Sequence, residues 1–156
     1  QSNLASINWD DNTIIKNEKV LLTTKQGVRY PLTKAIHVNQ SYSYFHKGVD
    51  LYGLTGDSVY PIMDGAVDNV QYSWFGYGNA VIIDHGNGTT SLYAHLSKIN
   101  VKLGDTVSPQ SKIGEVGAVG HATGPHLHFE IRENNEPVNP LVYLPKEEVN
   151  GNLSQR

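Results

Sequence analysis

The chain has 156 residues, 38% hydrophobic and 17% charged, with 12 Lys and Arg against 15 Asp and Glu for a formal charge of −3. That length and composition predict one soluble domain able to bury most of its apolar surface. The acidic balance excludes a basic field for nucleic acid or an anionic surface; the lack of cysteine excludes disulfides and thiolate chemistry; no apolar run reaches the roughly 20 residues of a membrane-spanning helix.

In chain order, "QSNLASINWD" does not have the form of a signal peptide, and a chain opening on Gln1 reads as a piece of something longer. The first 28 residues are polar and alternating, either an added hairpin or the end of a preceding module. "DGAVDNVQY" (64–72) reads as a strand. "NAVIID" (79–84) and "TTSLYAHL" (89–96) read as a hairpin across "HGNG", with Asn87-Gly88 in the turn. "KIGEV" (112–116) and "HLHFEIR" (126–132) are further strands, and "ENNEP" (133–137) turns into a short strand near Val138. "PKEEVNGNLSQR" (145–156) is polar and expected to fray. No segment sustains a 3.6-residue period over ten residues, so the class is mainly antiparallel β.

Seven histidines punctuate this chain. A histidine standing alone is most simply a hydrogen-bonded surface or core residue, and His37, His85 and His121 are read that way. His85 is expected to brace the "HGNG" turn, and His121 precedes a Gly-Pro turn where it could face a groove. His126 and His128 differ. A period of two puts both on one strand face, while Leu127 and Phe129 supply core contact on the other. A hydrophobic face does not carry two unpartnered imidazoles, so the pair shares a site or solvent. Glu130 shares that face and reads as solvated.

"FHKGVD" (45–50) adds His46 and Asp50, with Gly48 between them to permit a bend. Imidazole nitrogen and carboxylate oxygen both suit Zn²⁺. A third ligand from His126 or His128 would complete a His₂Asp set with an open fourth position, as catalytic zinc requires. No H-E-x-x-H glutamate is present to act as base. Proton traffic then falls to histidines, with His95 in "SLYAHLS" and one member of H-x-H as the natural pair.

Taken together, "HKGVD" (46–50), "GYGNAVIIDHGNG" (76–88), "LYAHLSKINVKLGDTVSPQSKIGEVGAVGHATGPHLHFEI" (92–131) and "VNPLVYL" (138–144) resemble the LytM/lysostaphin-type zinc endopeptidases, which cut peptide bonds in bacterial peptidoglycan. The resemblance runs from about Tyr30 to Leu144. It implies a metallopeptidase domain over 30–144, an N-terminal extension or module remnant over 1–29 and a polar tail over 145–156. It implies a twisted antiparallel sheet whose loops wall a narrow groove across one zinc ion. It assigns His46, Asp50 and His128 to the metal and His95 and His126 to catalysis, without dividing the roles of base and oxyanion stabiliser between the last two. The implied partners are peptidoglycan peptides, without nucleic acid or membrane insertion. The implied setting is extracytoplasmic (secreted, wall-associated or phage-borne), and a monomer is expected.

One departure stands out. Members often carry F-G-x-R shortly before the first ligand, where this chain reads "IHVNQSYSYFH" (36–46). Tyr42, Tyr44 and Phe45 are expected to rebuild that groove wall. Two rival readings are a non-catalytic LytM-type domain that activates another wall hydrolase, and a biotinyl- or lipoyl-carrier-like domain suggested by "KLGDTVSPQSKIG". Non-catalytic members typically lose ligands or catalytic histidines, and all five residues are kept here. A carrier needs a lysine at a hairpin tip, and no turn here has that form.

Overall fold

The computed structural model describes residues 22–146 throughout, and beyond them only the strand pairing of residues 15–16, 148–149 and 152–153. The chain runs through β1 (Ile15–Lys16), β2 (Leu22–Thr23), β3 (Val38–Gln40), β4 (Val49–Leu51) and β5 (Ser58–Val59). Next come β6 (Gly65–Gln71), β7 (Ala80–Gly86), β8 (Thr89–Ala94), β9 (Lys98–Ile99), β10 (Thr106–Val107) and β11 (Gly114–Glu115). It closes with β12 (Leu127–Glu133), β13 (Glu136–Val138), a 3₁₀ turn at Pro140–Val142, β14 (Glu148–Val149) and β15 (Asn152–Leu153). The mainly-β expectation holds. Among the described residues that single turn is the only helical segment, and no helix is long and apolar enough to cross a membrane.

The main sheet has the order β10-β6-β7-β8-β12-β4-β3, with β13 also paired to β12, and every pairing is antiparallel. Turn chemistry sets its register. Asn87 and Gly88 take φ of 53° and 81°, the paired positive values of a type I′ turn, and join β7 to β8. Asn134 and Asn135 repeat the device at 52° and 68° between β12 and β13. A second sheet, β5-β11-β9, contributes Val59 and Ile99 to the same apolar cluster.

Alternation along β12 separates core from site. Leu127, Phe129 and Ile131 are fully buried with Val49, Leu51, Ile83 and Tyr93. Each such side chain contributes about 1.5–3 kcal/mol by leaving water. The core also takes in Leu22 and Val28, which precede Tyr30, where the resemblance begins. The opposite face carries His128 and Glu130 beside a smaller cluster of Ala80, Leu92 and Ala94, closed by Tyr77 and Ile82. The expected fraying of residues 145–156 lies largely outside the described residues.

Candidate metal centre

Strand register creates the centre. His128 on β12 pairs with Asp50 on β4 and with Ala94 on β8, and cross-strand partners share a face. One carboxylate and one imidazole are thereby set side by side, next to a residue too small to fill the space above them. His128 Nδ1 lies 2.8 Å from Asp50 Oδ1.

His46 arrives from the turn that feeds β4. Ser43 and His46 pair backbone to backbone, and the His46 amide also donates to the Ser43 hydroxyl at 3.1 Å. His46 Nδ1 is 3.0 Å from the Ser41 carbonyl. A carbonyl only accepts, so Nδ1 carries a proton, and in the neutral ring the lone pair falls on Nε2. That Nε2 is 3.3 Å from Asp50 Oδ1. Gly48 makes the approach possible, though by contact and not by a bend. A Cβ there would lie 2.5 Å from the Phe129 carbonyl oxygen and 2.7 Å from Glu130 Cγ.

Two more imidazoles flank this trio. His126 donates Nδ1–H to the Gly124 carbonyl at 3.0 Å and holds Nε2 3.5 Å from Asp50 Oδ1. His95 directly follows β8 with a positive φ of 63°, uncommon for a side-chain-bearing residue and a conformation that clusters at functional sites. Its amide donates to the Tyr77 carbonyl at 2.9 Å, and its Nδ1–H donates to the Val119 carbonyl at 2.8 Å. The His95 ring centroid is 5.2 Å from that of His126 and 5.7 Å from that of His128.

All five sequence-predicted site residues thus meet in one groove of about 570 Å³, walled also by Gln40, Tyr77, His121 and Thr123. The loops carrying Gly78 and Gly120 touch backbone to backbone, since a Cβ on Gly78 would lie 2.0 Å from the Val119 carbonyl oxygen. Among the described residues, His46, Asp50 and His128 form a group whose donor atoms all lie within 4.8 Å of one another. Two imidazole nitrogens and a carboxylate oxygen suit zinc.

Three expectations need correction or completion. Tyr44 and Phe45 do not wall the groove; they are 80% and 91% exposed and stack edge-on against each other. The tight Ser43–His46 turn aims the His46 ring inward and leaves these rings outside. Tyr42 is half-buried against the core with its hydroxyl donating to the Pro137 carbonyl, and it too is absent from the groove lining. Glu130 is not solvated; it is 1% exposed, and Oε2 lies 2.8 Å from His128 Nε2. Tyr77 and Arg132 complete its surroundings and were not singled out in the sequence; the continued alternation H-x-H-x-E-x-R was the available signal. His85 bonds outside the turn it was expected to brace, with Nδ1 2.8 Å from the Asp64 carbonyl ahead of β6 and Nε2 2.7 Å from the Ser91 hydroxyl on β8, while His121 lines the groove.

Electrostatics follow from this packing. Burial alone would raise the Asp50 carboxyl, but the His128 hydrogen bond and the nearby imidazoles outweigh it and hold Asp50 below the usual carboxylate range. His128, opposed by burial but bonded to two carboxylates, is pushed up to about 9. His95 goes the other way: burial lowers it, and the neighbouring His126 and His128 add to the effect against the opposing Val119 hydrogen bond. A neutral His95 with Nδ1–H committed to a carbonyl keeps a lone pair on Nε2.

Known proteins resemble this chain in sequence and fold. The profile described as Peptidase family M23 matches residues 44–140. The DD-carboxypeptidase/endopeptidase Mpg of Neisseria meningitidis is 45% identical over 105 residues, covering 67% of this chain and 24% of its own. The murein hydrolase activator NlpD of Salmonella dublin is 38% identical over 101 residues, covering 65% and 26%. The crystal structure of a zinc-containing peptidase from Vibrio cholerae superposes with a TM-score of 0.67 at 31% identity, covering 82% of this chain and 45% of that one. The chain spans about a quarter of the length of these curated relatives. With the profile match reaching over more than half of its residues, the chain belongs to peptidase family M23.

Proposed function

We propose that this chain is a zinc-dependent endopeptidase that hydrolyses peptide bonds of bacterial peptidoglycan outside the cytoplasm. One zinc ion per chain is held by His46 Nε2, Asp50 and His128 Nδ1, and His95 and His126 are the catalytic histidines. The catalytic unit in this reading is residues 30–144, with the described residues before Tyr30 packed onto its core and 145–156 as a tail. The observation that carries the proposal is the pairing of a three-donor group with two further imidazoles that face the same groove.

A zinc ion at these donors supplies Lewis acidity to a water and to the scissile carbonyl. The chain's own residues do the rest. The groove orients an extended peptide across the donors. His95 and His126, each with Nδ1–H tied to a backbone carbonyl, present Nε2 to the groove. One Nε2 accepts the proton of the attacking water; the other, when its Nε2 is protonated, donates N–H to the oxyanion or gives that proton to the leaving amine. The low basicity of His95, caused first by its burial, suits it to stay neutral and accept.

A second reading, a non-catalytic domain that activates another hydrolase, is favoured by one observation, the likeness to NlpD. Mass spectrometry of fragments released from purified peptidoglycan by the zinc-loaded chain separates the two. New amine and carboxylate termini that vanish with a chelator support hydrolysis. Zinc binding with no cleavage, together with enhanced cleavage by an added wall hydrolase, would overturn it in favour of the activator.

A further inference from the structure

Glu130 is a buried carboxylate on a strand face that ends in the metal centre, and such a group persists only where donors satisfy it. Three do. The Tyr77 hydroxyl donates to Oε2 at 2.6 Å, Arg132 Nη2 donates to Oε1 at 2.8 Å, and His128 Nε2 lies 2.8 Å from Oε2. Arg132 Nη2 also donates to the Tyr77 oxygen at 3.2 Å, closing a ring of contacts. His128, Glu130 and Arg132 are alternate residues of β12, so one strand face supplies three members, and the segment between β6 and β7 supplies Tyr77. The Tyr77 ring centroid lies 5.7 Å from that of His128, and the two planes are tilted by 31°.

Resting on the reading that His128 ligates zinc, we propose that Glu130, Tyr77 and Arg132 form one positioning unit that fixes the His128 tautomer and ring orientation so that Nδ1 faces the metal. In the neutral ring that a metal requires, a carboxylate accepting Nε2–H leaves the lone pair on Nδ1, on the Asp50 side. A carboxylate behind a ligating imidazole also raises its basicity. Tyr77 therefore serves the metal although it lines the groove. Its single O–H proton is spent on Glu130, and its oxygen accepts from Arg132. An oxyanion needs a donor, so Tyr77 is a positioning residue and not a substrate-facing acid.

The test uses the full chain and reads zinc affinity by competition with a chromogenic chelator, alongside kcat and KM and the imidazole ¹⁵N shifts of the zinc-loaded protein. Glu130→Gln is expected to weaken zinc binding by about 10–100-fold. Tyr77→Phe, which removes only a hydroxyl and keeps the ring, is expected to weaken it by a smaller factor, with activity falling in step with occupancy. In the wild type the His128 Nε2 shift should be that of a protonated nitrogen. If Glu130→Gln does not fold, Tyr77→Phe carries the test. Wild-type zinc affinity in the folded variants would overturn the proposal. So would a Tyr77→Phe enzyme that holds zinc normally yet loses kcat, because that would make Tyr77 a catalytic donor. A wild-type chain that binds no zinc overturns the metal reading itself, and is seen before any variant is compared.

Discussion

Replacing Gly48 by alanine should perturb the candidate metal centre without touching any proposed donor atom. A Cβ at this position would sit 2.5 Å from the Phe129 carbonyl oxygen, 2.7 Å from Glu130 Cγ and 3.2 Å from His128 Cε1. Ordinary contact begins near 3.4 Å, so the backbones of β4 and β12 must part by almost an ångström beside the Asp50–His128 pair. The carbonyl cannot swing away, because it belongs to a strand paired on both sides. Overpacking of this kind costs about 1–3 kcal/mol. For a domain of this size that corresponds to a melting temperature lower by about 2–10 °C. Gly48 lies between His46 and Asp50, so the same displacement moves two proposed ligands relative to the third. A misplacement of about 1 Å is worth on the order of 10² in rate. Thermal melts with and without zinc, chelator competition and turnover on a cross-link peptide would read all three effects. Gly124→Ala is the control, since a Cβ there meets nothing within 4 Å although the residue sits beside His126. A Gly48→Ala protein with wild-type melting, zinc affinity and turnover would refute the close-approach argument.

Other predictions address the donors and the histidines. His46→Ala or Asp50→Ala should lose both metal and activity, and stoichiometric zinc in either purified variant would remove that residue from the ligand set. His95→Ala should keep zinc and fold while losing on the order of 10²–10⁴ in rate; undiminished turnover would mean that another group moves the proton. His85, whose basicity is lowered first by burial, should make the fold less stable in acid. The unfolded chain takes up the proton below about pH 6.5, before the folded one does, so stability is fully present above that value and declines as pH falls toward the folded pKa. Chemical denaturation from pH 7.5 to 5 should therefore show a shallower decline in His85→Gln, and equal slopes would show that His85 is not the group responsible.

Legibility in the sequence followed the range of each interaction. The β7–β8 turn was readable because a two-residue I′ turn demands positive φ at both positions and Asn-Gly supplies it, as the observed 53° and 81° confirm. The face of β12 was readable because alternation is a local property. What covers that face was not. Glu130 read as solvated because nothing within reach in sequence says that Tyr77, 53 residues away, lies over it. The aromatic run before His46 read as a wall for a similar reason. Adjacent rings suggest a surface, but the direction they face is set by the Ser43–His46 pairing, which composition does not reveal. Leu22 and Val28 gave no warning of their burial, since nothing local in the first 28 residues says which of their apolar side chains the sheet will cover.

The centre shows the same division more sharply. H-x-x-x-D and H-x-H each place two polar side chains through one local element, so the candidates could be found from spacing. Spacing could not decide between His126 and His128 as the third ligand. Nor does the partner of the distal nitrogen decide it, because His46, His95 and His126 all rest Nδ1 on a backbone carbonyl. The distinction lies in register. His128 falls opposite Asp50 within the sheet, with its second nitrogen held by a buried carboxylate, whereas His126 stands one residue before β12 begins, bridged to Gly117. The first position is braced by carboxylates on both sides, which suits the ligand role proposed for it. The other keeps an edge toward the groove, which suits the proton-carrying role proposed for it. That difference is made by strands 78 residues apart, and it exists only once they have paired.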